Sequence, residues 1–512
     1  MVQFRKLSEV ANLRADGLRT FLCFCLATAV LVFSPFARSE AHAESAVEAI
    51  AQAKQLTDKA TSFEKAGVYS RAEGLYKEAL KIRERTLAPM DPRISDSLDG
   101  LAMLYDDEAL FTEAESLLER AVTIDEKALG PRNPRLAEKL DHLGVVLNDE
   151  GKYQKAEFFY RRALDIREKT LRRGDFALAE SYNDLATLYD DEGKYSQAET
   201  LYLKALALRE ANSGSEESDV AETLDNLGML YDAEGRFTEA ISLYQRAISI
   251  DTKTLGPDHP KVAAYLNDLA AAYEDQGNYL RASSLLQRAL TIRERAFGLQ
   301  HPEVGETLRN LGLVYEANGD SSNAESFYRQ ALHIREKSYG PEHRYVAESF
   351  NDLGSLYEKE GRYGEAEPLL ERAVAIREKA LGPAHPELAE SLAHLAGVLA
   401  SEQRTEDSLA LYERARQTLL RVRRADASLN DAALINLLKE GNANLRDYVK
   451  LLAVIARSPL AGFDSARAST EAFVVAEQIR IGLSQLALAR SAARRNTRSE
   501  DSRACESHAA TS

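Results

Sequence analysis

One phrase recurs at multiples of 42 residues and limits what this 512-residue chain can fold into. Glu150-Gly151-Lys152-Tyr153, Glu192-Gly193-Lys194-Tyr195, Glu234-Gly235-Arg236-Phe237 and Glu360-Gly361-Arg362-Tyr363 set the register. Extended without insertion or deletion, it marks positions 67, 109, 151, 193, 235, 277, 319, 361 and 403. A small residue follows each mark by five, from Ala72 to Ala366 and then Ser408, and an Ala follows by twelve, from Ala79 to Ala415. Large residues such as Tyr76, Tyr160, Tyr202, Tyr244, Tyr328 and Tyr412 stand between them at helical spacing, so this segment reads as a helix that packs closely on another. The other helix lies upstream, carrying Leu101 to Leu395 eight residues before each mark. Each Leu is followed by Gly or Ala, which lets two backbones approach to the near end of the usual ~8–10 Å interaxial range. Nine stacked helix pairs over residues 44–420 follow, an all-α solenoid.

The Leu-small-x-x-Tyr of the first helix, the turn Gly and the Ala-x-x-x-Tyr-x-x-Ala of the second resemble the tetratricopeptide repeat. The loops Gly256-Pro257-Asp258-His259-Pro260 and Gly382-Pro383-Ala384-His385-Pro386 are similar to those of its 42-residue, kinesin light chain-like class. The resemblance implies a right-handed superhelix whose first helices line a concave groove. The first repeat, with Lys59 where Leu is expected, reads as a terminal cap. Helical stretches over 421–495 read as a C-terminal cap. They resemble the lead-in to a CHAT peptidase domain, for which the polar tail 496–512 leaves no room.

Composition narrows the chemistry. The formal net charge is −16, and residues 44–420 alone carry −22, which argues against nucleic acid and anionic lipid as partners. Arg5, Lys6, Arg14 and Arg19 precede the apolar run Phe21 to Phe33, and Ala41-His42-Ala43 is a small-x-small site, so residues 1–43 read as a signal peptide. The expectation is an exported protein, periplasmic or secreted, with a membrane anchor through 21–36 as the alternative. Cys23 and Cys25 would leave with the leader, and Cys505 with His508 stands in the polar tail, so neither a disulfide nor a cysteine peptidase site is expected. The recurring His259, His301, His343 and His385 occupy one loop position in successive copies, too far apart to share a metal ion. The chain is expected to be no enzyme, with no cofactor and no metal.

The resemblance places ligand contacts thirteen, ten, six, three and two residues before each mark. Seven of the eight residues in the first row are acidic, and their place near helix N-termini explains them through the helix dipole. The last two rows resist that explanation. Asp106, Asp107, Asp149, Asp190, Asp191, Asp232, Glu274, Asp275, Glu316 and Glu358 fall at the C-terminal ends of the first helices, where the dipole disfavours negative charge. Pairing with cations such as Lys152, Lys194 and Arg236 is the competing explanation. In the tenth-residue row, Asn183, Asn267 and Asn351 match the Asn that, by resemblance, hydrogen-bonds a ligand backbone. The reading is an exported scaffold that binds a basic or neutral protein or peptide in an acidic groove. The alternatives are the non-catalytic half of a CHAT-like peptidase system and a structural spacer.

Overall fold

The computed structural model describes residues 46–425 apart from 173, 212–216 and 384, with short helical pieces at 448–449, 451–452, 468–472 and 474–475. The leader, the polar tail and most of 421–495 lie outside the described residues. Helices fall into nine pairs and there is no strand among the described residues. The first helices of the pairs are α1 (46–64), α3 (Pro92–Asp107), α5 (Pro134–Asp149), α7 (Phe176–Asp191), α9 (Glu217–Ala233), α11 (Pro260–Asp275), α13 (Pro302–Ala317), α15 (Arg344–Lys359) and α17 (Pro386–Ser401). Their partners are α2 (Tyr69–Thr86), α4 (Phe111–Leu129), α6 (Tyr153–Thr170), α8 (Tyr195–Ala211), α10 (Phe237–Thr254), α12 (Tyr279–Phe297), α14 (Ser321–Tyr339), α16 (Tyr363–Leu381) and α18 (Thr405–Ala425). The last helix runs five residues beyond the expected end of the repeats. No described helix is long and apolar enough to cross a membrane.

Close packing explains the small residues. Ala72, Ala114, Ala156 and Ala198 are fully buried, and a Cβ added at Gly144 or Gly228 would stand 2.7 Å from the ring of Tyr160 or Tyr244. A fully buried Leu such as Leu143 or Leu311 contributes ~1.5–3 kcal/mol relative to exposure. Ser408 is tolerated in the Ala row because its hydroxyl donates to the Ala396 carbonyl at 2.7 Å.

Each pair turns through one left-handed residue that ends the first helix. At Gly151, φ is +80°, and the Lys152 amide donates back to the Leu147 carbonyl at 2.7 Å. Ala109 and Gln403 hold the same turn at +54° and +65° with a side chain present. Ala109→Gly should relieve ~1–2 kcal/mol of left-handed strain and lose ~0.4–1 kcal/mol through a freer unfolded chain. A net gain of roughly 0.5–1 kcal/mol in urea unfolding is the expected result.

The loop residues before the first helices are N-caps. Asp91, Asn133 and Asp175 accept the amide two residues on, and His259, His301, His343 and His385 do the same through Nδ1. With Nδ1 accepting, Nε2 carries the proton, and in two cases it reaches another turn of the superhelix. His301 Nε2 donates to the Lys65 carbonyl at 3.2 Å and His343 Nε2 to the Glu108 carbonyl at 3.0 Å. Tyr69 stacks on Tyr339 with centroids 5.4 Å apart. The first and second pairs thus touch the seventh and eighth. At the other end, the pieces beyond 425 pack on the last pairs: Tyr448 stacks on Tyr412 at 5.2 Å and donates to Glu471, with Leu452 and Val475 fully buried.

Candidate ligand-binding groove

Successive first helices stand side by side, so residues about 42 apart face each other, and most polar positions along this face are satisfied within the stack. A buried arginine sixteen residues after the turn does much of this. Arg167, Arg209, Arg293, Arg335 and Arg377 each donate to a Ser or Thr fourteen residues on, in the next pair: Ser181, Thr223, Thr307, Ser349 and Ser391. The same arginines reach the acidic row thirteen before the turn, as in Arg335 to Glu348 at 2.9 Å and Arg377 to Glu390 at 3.1 Å. Arg135 holds Asp96 at 2.8 Å. The first acidic row is therefore paired internally.

The three asparagines are also engaged. Asn183 Oδ1 accepts from Asn226 at 3.2 Å. Asn351 donates to Glu390 at 3.2 Å and accepts from Ser391 at 2.8 Å. Asn267, with its amide oxygen turned to Arg293, accepts from that guanidinium at 2.7 and 3.2 Å. All three are buried. These amides tie neighbouring pairs together in the free chain.

The rows at the C-terminal ends of the first helices differ. Glu316 is paired with Lys359 at 2.5 Å and accepts from Tyr328, and Glu358 is paired with His394 at 2.7 Å. Among the described residues, Asp106, Asp107, Asp149, Asp190, Asp191, Asp232, Glu274 and Asp275 make no ion pair, and of these only Asp191 has a side-chain hydrogen bond, from Asn148 at 2.5 Å. Lys152, Lys194 and Arg236, the cations considered for them, go instead to Glu115 and Glu150, to Glu157 and Glu192, and to Glu199, Glu234 and Glu239. A file of carboxylates without ion-pair partners among the described residues thus runs along α3, α5, α7, α9 and α11, with Arg344 and Arg309 acting on Asp149 and Glu274 only from a distance.

Burial and mutual repulsion push these groups up. Asp106, beside Asp149 and Asp107, is raised to about 7, and Asp190, beside Asp191 and Glu234, also to about 7. Glu274 is raised to about 7, with Asp275 and Glu316 adding to burial, while Asp107, Asp149 and Asp232 rise to about 6. Asp191 rises as well, through burial. Burial is the largest cause in every case, yet Asp107, Asp149 and Asp191 keep solvent-accessible surface. Among the described residues no three metal-ligating side chains converge on one point.

The position nine before the turn also belongs to this face and was missed in the sequence. Asp184, Asp268 and Asp352 occupy it, all raised by burial. Their signal was the same 42-residue recurrence.

Comparison with known proteins follows this geometry. The tetratricopeptide repeat family matches residues 98–169, 135–211, 219–295, 265–337, 303–379 and 345–421, more than half of the chain. The chain belongs to the tetratricopeptide repeat family. Among solved structures, BtubC (BKLC) from P. vanneervenii is 27% identical, covering 46% of this chain and 91% of its own, with a TM-score of 0.38. A Podosopora anserina putative kinesin light chain with nearly identical TPR-like repeats is 27% identical over 42% of this chain and 99% of that one, with a TM-score of 0.36. Aspartyl phosphate phosphatase F from Bacillus subtilis is 14% identical, covering 72% and 93%, with a TM-score of 0.45. No curated protein matches the sequence. As a tetratricopeptide repeat solenoid the chain is of a kind that serves as a protein–protein interaction scaffold, a fold typically without catalysis.

Proposed function

We propose that this scaffold captures an extended segment of a basic or neutral protein against the carboxylates of α3 to α11. The observation that supports the reading is the file of carboxylates without ion-pair partners among the described residues, in a stack that pairs the acidic row thirteen before the turns. Leaving them unpaired opposes both the helix dipoles and neighbouring like charges. A cationic segment laid along the groove removes both penalties and displaces the protons that the carboxylates hold in its absence. Export of the mature chain from about Glu44 is part of the reading and rests on the order of residues 1–43 alone. Asn183, Asn267 and Asn351 are left out of the site.

The test uses a fluorescein-labelled twelve-residue peptide of alternating Lys and Ser. Wild-type protein should bind it, more weakly as salt shortens the Debye length from ~10 Å at 0.1 M to ~3 Å at 1 M. Joint replacement of Asp190, Asp191, Glu274 and Asp275 by Asn or Gln should weaken binding about tenfold or more, a loss of ~1.4 kcal/mol, with the helical circular dichroism intact. Equal binding by both proteins would move the partner site elsewhere.

A further inference from the structure

Resting on that reading, we infer that the junction of α9 and α11 is a pocket for an arginine side chain of the bound segment, received by Asp225 and Asp268. The register carries the argument. A residue ten before one turn faces the residue 43 further on in the next pair, and elsewhere this crossing is complementary: Asp99 with His142 at 2.7 Å, Asn183 with Asn226 at 3.2 Å and Arg309 with Asp352 at 2.6 Å. Two crossings set acid against acid, Asp141 with Asp184 and Asp225 with Asp268. At the first, Arg167 from α6 forms an ion pair with Asp141 at 2.5 Å, which opposes the rise that burial imposes on that carboxyl. At the second, the residue equivalent to Arg167 is Asp251, itself wholly buried. The built-in cation is replaced by a third acid.

Asp225 is only 7% exposed, and among the described residues its Oδ1 has no hydrogen-bond partner and no ion pair reaches it. Such a group carries a large desolvation cost with nothing to offset it. The nearby cations are engaged. Lys261 reaches Glu222 at 3.4 Å and Ser218 at 3.5 Å, and Arg293 bonds Thr307 and Glu306. Asp251 accepts from Ser218 at 3.1 Å and also meets Tyr265. A guanidinium entering from the groove would meet Asp268, partly exposed, and then Asp225 behind it. Its fork of donors matches two adjacent carboxylates better than an ammonium does.

The test compares a nine-residue Gly/Ser/Asn peptide carrying one central arginine with its neutral citrulline counterpart, on the full chain. Wild-type protein should prefer the arginine peptide by about tenfold. Asp225→Asn with Asp268→Asn, which is isosteric, should bind both peptides alike, at the citrulline level. Asp251→Arg with Tyr265→Ser copies the Arg167 and Ser181 arrangement, fills the site from within, and should likewise erase the preference while raising the melting temperature. If wild-type protein binds the Lys/Ser peptide in a manner lost in the groove variant but does not distinguish arginine from citrulline, the pocket is overturned and the groove stands. A preference that survives Asp225→Asn with Asp268→Asn overturns it equally. Failure to bind any of the three peptides overturns the groove as well.

Discussion

Arg377→Met should destabilise the protein by about 3–5 kcal/mol, the usual cost of removing one partner from a buried polar network. Arg377 is 2% exposed and donates to the Glu387 carbonyl at 2.7 Å and to the Ser391 hydroxyl at 2.7 Å, with Glu390 at 3.1 Å. Met fills much of the volume and supplies no donor, so three acceptors lose their donor at the junction of α16 and α17. Arg372, exposed and paired with Glu342, is the control: its replacement by Met should cost ~0–1 kcal/mol. Urea unfolding measures both. Because stacked repeats can unfold in parts, hydrogen exchange of α17 and α18 should show the Arg377 effect locally. Similar values for the two variants would contradict a structural role for the arginine row.

Acidification from pH 7.5 to 6.5 should stabilise the free protein and weaken its grip on a cationic segment. Asp106, Asp190 and Glu274 titrate at about 7 in the folded chain, against ~4 for an ordinary carboxyl. Between those values the folded chain binds more protons than the unfolded one, so stability falls as pH rises. His142 and His394, raised by Asp99 and Glu358 against the opposing effect of burial, act in the same direction. His343 and His385, pushed down to about 4 by burial, act oppositely but only below their unfolded value of ~6.5. The one-unit step should therefore add about 1 kcal/mol, or ~2–4 °C in melting temperature. Replacing Asp106 and Asp190 by Asn and Glu274 by Gln should flatten the slope. Binding runs the other way, since a cationic segment pulls these groups back toward their ordinary range and releases protons. Calorimetry in two buffers of different ionisation heat should count protons released at pH 7.

The repeat was legible because its signals are local and copied many times. Ala109 and Gln403 were placed in a glycine turn only because seven other copies set the register, and the structure finds the same left-handed turn at both. The arginine row recurs as plainly, at 83, 167, 209, 293, 335 and 377, but an arginine on a helix reads as a solvated residue until its partner is known. Its paired Ser or Thr fourteen residues on was the available clue, with the exceptions: Asp125 faces a pair that carries Lys139, and Asp251 one that carries Tyr265. The asparagines had a second use that was hidden for a similar reason. An amide in a helix interior signals a use, and in the free chain these amides join neighbouring repeats.

The histidine contacts across the superhelix had no sequence signal at all, because they join positions about 235 residues apart that share no pattern. Their consequence is topological. A simple stack frays from either end and admits a partner from the side, but this one is fastened to itself where the first and second pairs meet the seventh and eighth. The seam closes a loop of chain that contains α3 to α11. Closing so long a loop is entropically costly, so the seam should be the first contact to open and the last to form. On the proposed reading, a partner laid against α3 to α11 lies within the stretch of chain that this seam closes, so its binding and release are coupled to the parting of the fastener.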